Sequence, residues 1–183
     1  MAQAPRDRFD DLTVTLHWIM AALVVVLGAL GLLLKATPFP SAAYDRWHMW
    51  HRSLGEAAFL IILVSLWWRR RRPVVAALPD VSWRAAAAAG VKAAIVSLLV
   101  FVPAVKLARG AFGLGWAFFG IEVAAPFAAN KPASHVLSDL HEYGAYALLA
   151  LSGVHALAAL WHGAVLKDGV LVRMTPWRPR RRG

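Results

Sequence analysis

Seven histidines stand in a chain of 183 residues that contains no cysteine. Disulfides, thiolate-held clusters and covalently attached c-type haem are therefore excluded, and any metal must be held by imidazole, carboxylate or thioether. Four of the histidines, His17, His51, His141 and His155, fall within strongly apolar stretches away from their outermost residues, while His48 and His162 lie nearer the ends. An ionisable group inside a membrane is costly and needs a partner. Taken singly, each could be a hydrogen-bonded packing residue served by water or another side chain. Their spacing says more. His141 and His155 are fourteen residues apart on one stretch. In a helix that separation returns the direction to within about 40° while advancing about 21 Å along the axis. Two imidazoles that far apart on one face cannot share an ion, but they can serve two groups at different depths.

The elements that must position them are four apolar stretches, at about 12–34, 47–68, 91–107 and 140–166. Each approaches the roughly 20 residues that cross a ~30 Å hydrocarbon core, the third being slightly short. Backbone polar groups in hydrocarbon must satisfy one another, so each stretch reads as a helix. The expected fold is an all-α integral membrane protein of one domain, 1–183, with four transmembrane helices in an up-and-down bundle. Lys92, Pro103 and Lys106 make the third stretch the weakest, and Pro103 predicts a kink there. The composition agrees: 60% hydrophobic residues and a mean hydropathy of +0.55 are too apolar for an ordinary soluble domain. The first stretch is longer than the ~7–15-residue apolar core of a signal peptide, and Asp7, Asp10 and Asp11 precede it, so it is expected to be retained.

A net charge of +10 is better explained by lipid headgroups and topology than by nucleic acid, because the basic residues border the apolar runs. Arg6, Arg8, Arg69–Arg72, Arg84, Lys167, Arg173, Arg178 and Arg180–Arg182 would lie on one side. The other side holds only Lys35, Arg46, Arg109 and Lys131. The positive-inside rule then places both termini in the cytoplasm. Trp67, Trp68 and Trp161 would sit toward the cytoplasmic interface, and Trp47, Trp50 and Trp116 toward the outer one. The run 69–72 and the tail "WRPRRRG" read as headgroup anchors. "RPVVAALPDVSW" is a Pro-broken cytoplasmic loop. The longer outer loop, 109–139, contains "GWAFFGIEVAAPF", for which an interfacial helix is the expectation.

With that topology, His17 and His155 match in depth in the inner half, and His51 and His141 match near the outer side. Two bis-imidazole pairs within a four-helix bundle suit two non-covalent b-type haems. Zinc would ask for about four ligands at each site. A di-iron centre would ask for clustered glutamates, and the only acids within the spans are Glu56 and Glu142. Gly28, Gly31, Gly55, Gly144 and Gly153 would let a flat ring approach the backbone, or would serve simple helix packing; both readings stand.

"DDLTVTLHW", "MWHRSLG" and "DLHEYGAYALLALSGVHALAALWHGAVLKDGVLVRMTP" together resemble the bacterial cytochrome b561 family over nearly the whole chain, with "LKDGVLVRMTP" the most specific piece. The resemblance implies a four-helix, di-haem, multi-pass protein of the bacterial inner membrane, with His17, His51, His141 and His155 as axial ligands. It implies an oxidoreductase that passes electrons from superoxide to ubiquinone, or else a cytochrome subunit that serves a separate dehydrogenase and exchanges electrons with the quinone pool. The third span of such proteins often carries a histidine about eleven residues before its proline; here Lys92 stands there. A haem-free transporter whose histidines relay protons is the reading furthest from these.

The remaining candidates follow. His48 lies three residues before His51 on nearly the same face and is the rival ligand, although the motif and the deeper position favour His51. His135 reads as a surface or pocket-mouth residue. His162 lies seven after His155, within about 20° of the same face and about 10 Å further on. It is either an interfacial histidine beside Trp161 or a hydrogen-bond partner and proton carrier for quinone. Arg8, Arg46, Arg52 and Lys131 are candidates for haem propionates or, on the outer side, for drawing in a small anion such as superoxide. Arg52, next to His51, leads them, its alternative being a snorkelling interfacial arginine.

Overall fold

The computed structural model describes residues 8–72 and 82–175. The expectations for Arg6, for most of the loop between the second and third spans, and for the basic tail lie outside the described residues.

Four helices dominate: α1 (Asp11–Ala36), α2 (Ala42–Arg70), α3 (Ser82–Arg109) and α4 (Lys131–Trp161). Each is long and apolar enough to cross a membrane. Their starts are capped by short polar side chains. Asp10 accepts from the Thr13 amide at 3.1 Å and the Thr13 hydroxyl at 2.7 Å. Ser41 accepts from the Tyr44 amide at 3.2 Å. Asn130 accepts from the Ala133 amide at 3.1 Å, with a proline in the first turn of α4. Such residues satisfy amides that have no partner within the helix. The helices overrun the apolar stretches. α3 begins nine residues before position 91 because "WRAAAAAG" is rich in the strongest helix former, although it is only weakly apolar. α3 stays helical on both sides of Pro103.

Contacts between helix ends give the directions. Trp68, at the end of α2, donates to Asp10 at the start of α1, 2.9 Å away. Lys35, at the end of α1, pairs with Glu142 early in α4. Arg109, closing α3, donates to Ser134 in the first turns of α4 at 3.0 Å. Neighbours therefore run antiparallel, in the cycle α1–α2–α3–α4 with α4 returning to α1. The two ends of this bundle are the terminal end, with residues 10 and 162, and the hairpin end, with residues 110–130.

The interior is thin. Met20, Ala58 and Ile62 form the buried centre, with Leu23, Leu27, Phe59 and Leu99 packed on it. Val25, Leu60 and Leu157 turn outward. An apolar exterior around a narrow core is what hydrocarbon solvent permits and water does not. At the terminal end of α2, Arg71 lies 4.5 Å from the Trp67 ring centre and Arg72 lies 3.7 Å from that of Trp68. An arginine over a tryptophan ring is the kind of pairing that suits an interfacial anchor.

The expected interfacial helix is absent. After α3 and a π-helical turn, Gly110–Leu114, the chain forms an antiparallel hairpin of β1 (Trp116–Phe118) and β2 (Ile121–Val123). Phe119 (φ 46) and Gly120 (φ 88) form its two-residue turn. Positive φ at both central positions matches the twist of a hairpin, whereas a helix has no place for it. Fully buried Ser53 of α2 docks the turn by accepting from the Phe119 amide at 2.8 Å.

Past α4 a π-helical turn, His162–Leu166, leads to left-handed Lys167 and a short 3-10 turn, Leu171–Met174. This strap is tied to the start of α1. Arg8 donates to the Val172 and Thr175 carbonyls, each at 3.2 Å, and the Trp18 indole donates to the Met174 carbonyl at 2.6 Å.

Candidate functional site

The bundle brings the four span histidines together as two facing pairs. His51 of α2 meets His141 of α4 with ring centres 6.1 Å apart and planes at 82°. His17 of α1 meets His155 of α4 at 6.3 Å and 76°. A metal–imidazole bond is about 2 Å. The ring centre lies roughly 1 Å behind its nitrogen, so two imidazoles on opposite sides of one metal have centres roughly 6 Å apart. Both pairs have that separation. Among the described residues no group of three or more ligating side chains converges. Each pair thus offers two protein ligands, enough for an iron whose other positions a porphyrin fills, too few for a bare structural ion.

Details around the pair at the hairpin end agree. His141 Nδ1 lies 3.0 Å from the Val102 carbonyl of α3, an arrangement in which Nδ1–H donates and Nε2 is left to bind. Metal-ligating histidines are commonly held this way by the second ring nitrogen. His51 lies beside the Leu27 carbonyl, yet its buried Nδ1 completes no hydrogen bond. An unmet buried polar atom costs about 1–3 kcal/mol, and this one sits in the wall of a cavity.

That cavity has a volume of about 610 Å³, within the range of roughly 300–1,000 Å³ usual for cofactor sites. His51 and His141 line it with Val24, Leu27, Leu99 and Leu149. Gly28, Gly31 and Gly55 line it too. A Cβ on Gly28 would come within 2.8 Å of the Leu149 side chain, and one on Gly31 would lie 3.6 Å from His51 Cε1. Gly144 does something else: its Cβ would stand 3.0 Å from Val102, so it sets the α3–α4 approach. Nothing lies within 4 Å of a Cβ at Gly153. Cavity access and helix packing, the two readings of these glycines, are therefore divided among them.

Cations gather in the cavity wall. Arg52, Lys106 and Arg109 line it. Arg52 donates to the Gly115 carbonyl at 3.2 Å and faces Lys106, as does Arg109. Of the wall carboxylates, Glu142 is already engaged by Lys35. Such a surface suits carboxylate groups or a small anion. The other basic candidates are placed elsewhere. Arg8 holds the strap, Arg46 lies against Trp47, and exposed Lys131 opens α4. His48 lines the cavity but stacks on Tyr44, 5.8 Å away, so that His51 is the imidazole that meets His141. His135 is exposed. Lys106 and Arg109 were not apparent as site residues from sequence, although a lysine in an apolar span is itself a signal.

The second pair lies toward the terminal end and does not line this cavity. Trp18 packs edge-on to His17 at 5.5 Å, and Lys92 of α3 acts on His155. Beyond His155, half-buried His162 engages Asp168 through Nδ1. The second Asp168 oxygen accepts from the Val170 amide at 3.1 Å. Burial pushes the Asp168 carboxyl up, but the His162 and Val170 hydrogen bonds outweigh it and hold the group below its ordinary value.

The profile of the family described as prokaryotic cytochrome b561 matches residues 8–177. "Cytochrome b561 homolog 2" of Escherichia coli is 28% identical over 171 residues, covering 92% of this chain and 91% of its own length. "Probable superoxide oxidase CybB" of Yersinia pestis is 28% identical, covering 92% and 96%. "Cytochrome b562" of Cereibacter sphaeroides is 30% identical, covering 98% of this chain and 100% of its own. A match of that extent, on a bundle with paired imidazoles at two depths, makes the chain a member of the prokaryotic cytochrome b561 family, a membrane electron-transfer protein of a haem b-binding kind.

Proposed function

We propose that this protein is a di-haem b cytochrome of the bacterial inner membrane that carries electrons across the bilayer to ubiquinone, with superoxide as the donor. The observation that carries this reading is the pair of imidazole pairs, one at each end of the bundle, each with the ring separation of a shared iron. His51 and His141 would hold one haem, and His17 and His155 the other. Haem bound there would supply one-electron chemistry, while the protein would supply depth, imidazole ligands and charge.

The residues divide the remaining work. The glycine-lined wall at Gly28, Gly31 and Gly55 admits a flat ring. Arg52, Lys106 and Arg109 would hold carboxylates or draw in an anion. With the terminal end in the cytoplasm, as the basic residues there imply, the cation-lined cavity opens outward. His162 lies on the opposite side, where it would hydrogen-bond ubiquinone and pass it protons. The overall conversion joins two superoxide anions, one ubiquinone and two protons to give two dioxygen molecules and one ubiquinol. The likeness to a protein named as a probable superoxide oxidase supports this donor.

Mixing the purified protein with superoxide and a soluble quinone analogue tests it. Rapid haem reduction, followed by re-oxidation by the quinone with no added protein, is expected. Inertness toward superoxide would move the assignment to the electron-transfer subunit of a dehydrogenase.

A further inference from the structure

Asp168 stands just beyond the last span, where an exposed carboxylate would ordinarily be only a solvated group. Its geometry is more constrained. One oxygen binds His162 Nδ1 and the other accepts from the Val170 amide. The backbone on either side is fixed by left-handed Lys167 (φ 50) and by Gly169 (φ 82). The strap that follows is fastened to α1 by Arg8 and Trp18. The π-helical turn that carries His162 and the Val170 amide of the strap thus hold one carboxylate against one imidazole. Both side chains keep partial contact with solvent, at 26% exposure for His162 and 34% for Asp168, so protons can reach the pair from water.

We infer that Asp168 is the positioning residue for His162, fixing its ring so that Nε2 is the nitrogen presented to the quinone oxygen. The inference rests on the quinone role proposed for His162. A carboxylate on Nδ1 keeps the proton there and orients the ring. Nε2–H then gives its proton to a quinone oxygen as that oxygen takes up the electrons that bound haem would supply. The Nδ1 proton stays on the ring, donated to Asp168, and water on the cytoplasmic side restores the proton to Nε2. One ubiquinone takes two electrons and two protons in two such deliveries and leaves as ubiquinol. No bond to Asp168 forms or breaks.

The test is made on full-length protein reduced with dithionite and mixed with a soluble quinone, with haem absorbance followed in water and in deuterium oxide. His162→Gln should slow re-oxidation by about tenfold or more without changing the rate of haem reduction. Re-oxidation of this variant at the wild-type rate would remove the quinone role itself. If that role stands, Asp168→Asn should slow re-oxidation about tenfold and raise the solvent isotope effect. Quinone-analogue affinity, read from tryptophan quenching, should stay within about twofold. The double variant should be no slower than His162→Gln alone. Asp168→Glu, which keeps the charge, should recover most of the rate, and it serves also if the asparagine variant folds poorly. Wild-type re-oxidation and isotope effect in Asp168→Asn, or additive losses in the double variant, would overturn the inference.

Discussion

His51 and His141 face one another from α2 and α4, helices that stand diagonally in the bundle, with ring centres 6.1 Å apart. His17 and His155 repeat the separation at 6.3 Å between α1 and α4, which are adjacent. α4 therefore contributes to both pairs, about 21 Å apart along its axis. Loss of either α4 histidine should remove one haem and spare the other. His141→Ala and His155→Ala should each contain about half the wild-type haem, and potentiometric titration should show a different component missing in each.

The glycines of α1 and α4 give a second contrast. Gly31 lines the cavity and faces His51, so Gly31→Leu would place a branched side chain in the space a ring would occupy. This variant should lose the haem at His51 and His141 while keeping the other. Gly153→Ala meets nothing within 4 Å and should retain full haem content, with unchanged or slightly higher thermal stability because alanine is the better helix former.

Ser53 ties the hairpin to α2 through the Phe119 amide, and it is fully buried. Ser53→Ala leaves that amide without its partner. The expected cost is about 1–3 kcal/mol, localised at residues 116–123 as faster amide hydrogen exchange, with exchange in α1 unchanged.

Asp10 and Asp168 both titrate below the ordinary aspartate value of 3.8. Burial raises each, and hydrogen-bond donors outweigh it: Thr13 and Trp68 at Asp10, His162 and Val170 at Asp168. A depressed carboxyl stabilises the folded state fully above the unfolded value, and the contribution is lost as pH falls through the folded value. Proteolysis of the strap and fraying of the first turn of α1 should therefore stay constant from neutral pH down to about pH 4 and increase below it.

Much of this was legible in the sequence. Four apolar stretches fixed the number of helices, and the fourteen-residue separation on the last one implied two depths. The pairing followed from chain direction alone. The hairpin was hidden because "GWAFFGIEVAAPF" carries an interfacial composition, while its turn depends on Phe119 taking positive φ beside Gly120. Propensity argues against that at phenylalanine, and the tertiary bond to Ser53 supports it. Lys106 and Arg109 were visible as charges, but their convergence on the cavity depends on how α3 is rotated against α2. Asp168 lay beyond the last apolar stretch, and only the π-helical turn and left-handed Lys167 bring it back to His162.

The most direct measurement is the haem content of the purified protein, taken from the dithionite-reduced spectrum and the pyridine haemochrome after acid–acetone extraction. Two extractable b-type haems per chain are expected, falling to about one in His141→Ala and in His155→Ala. A wild-type ratio of one or zero, or two haems retained in both variants, would contradict the assignment of the two imidazole pairs.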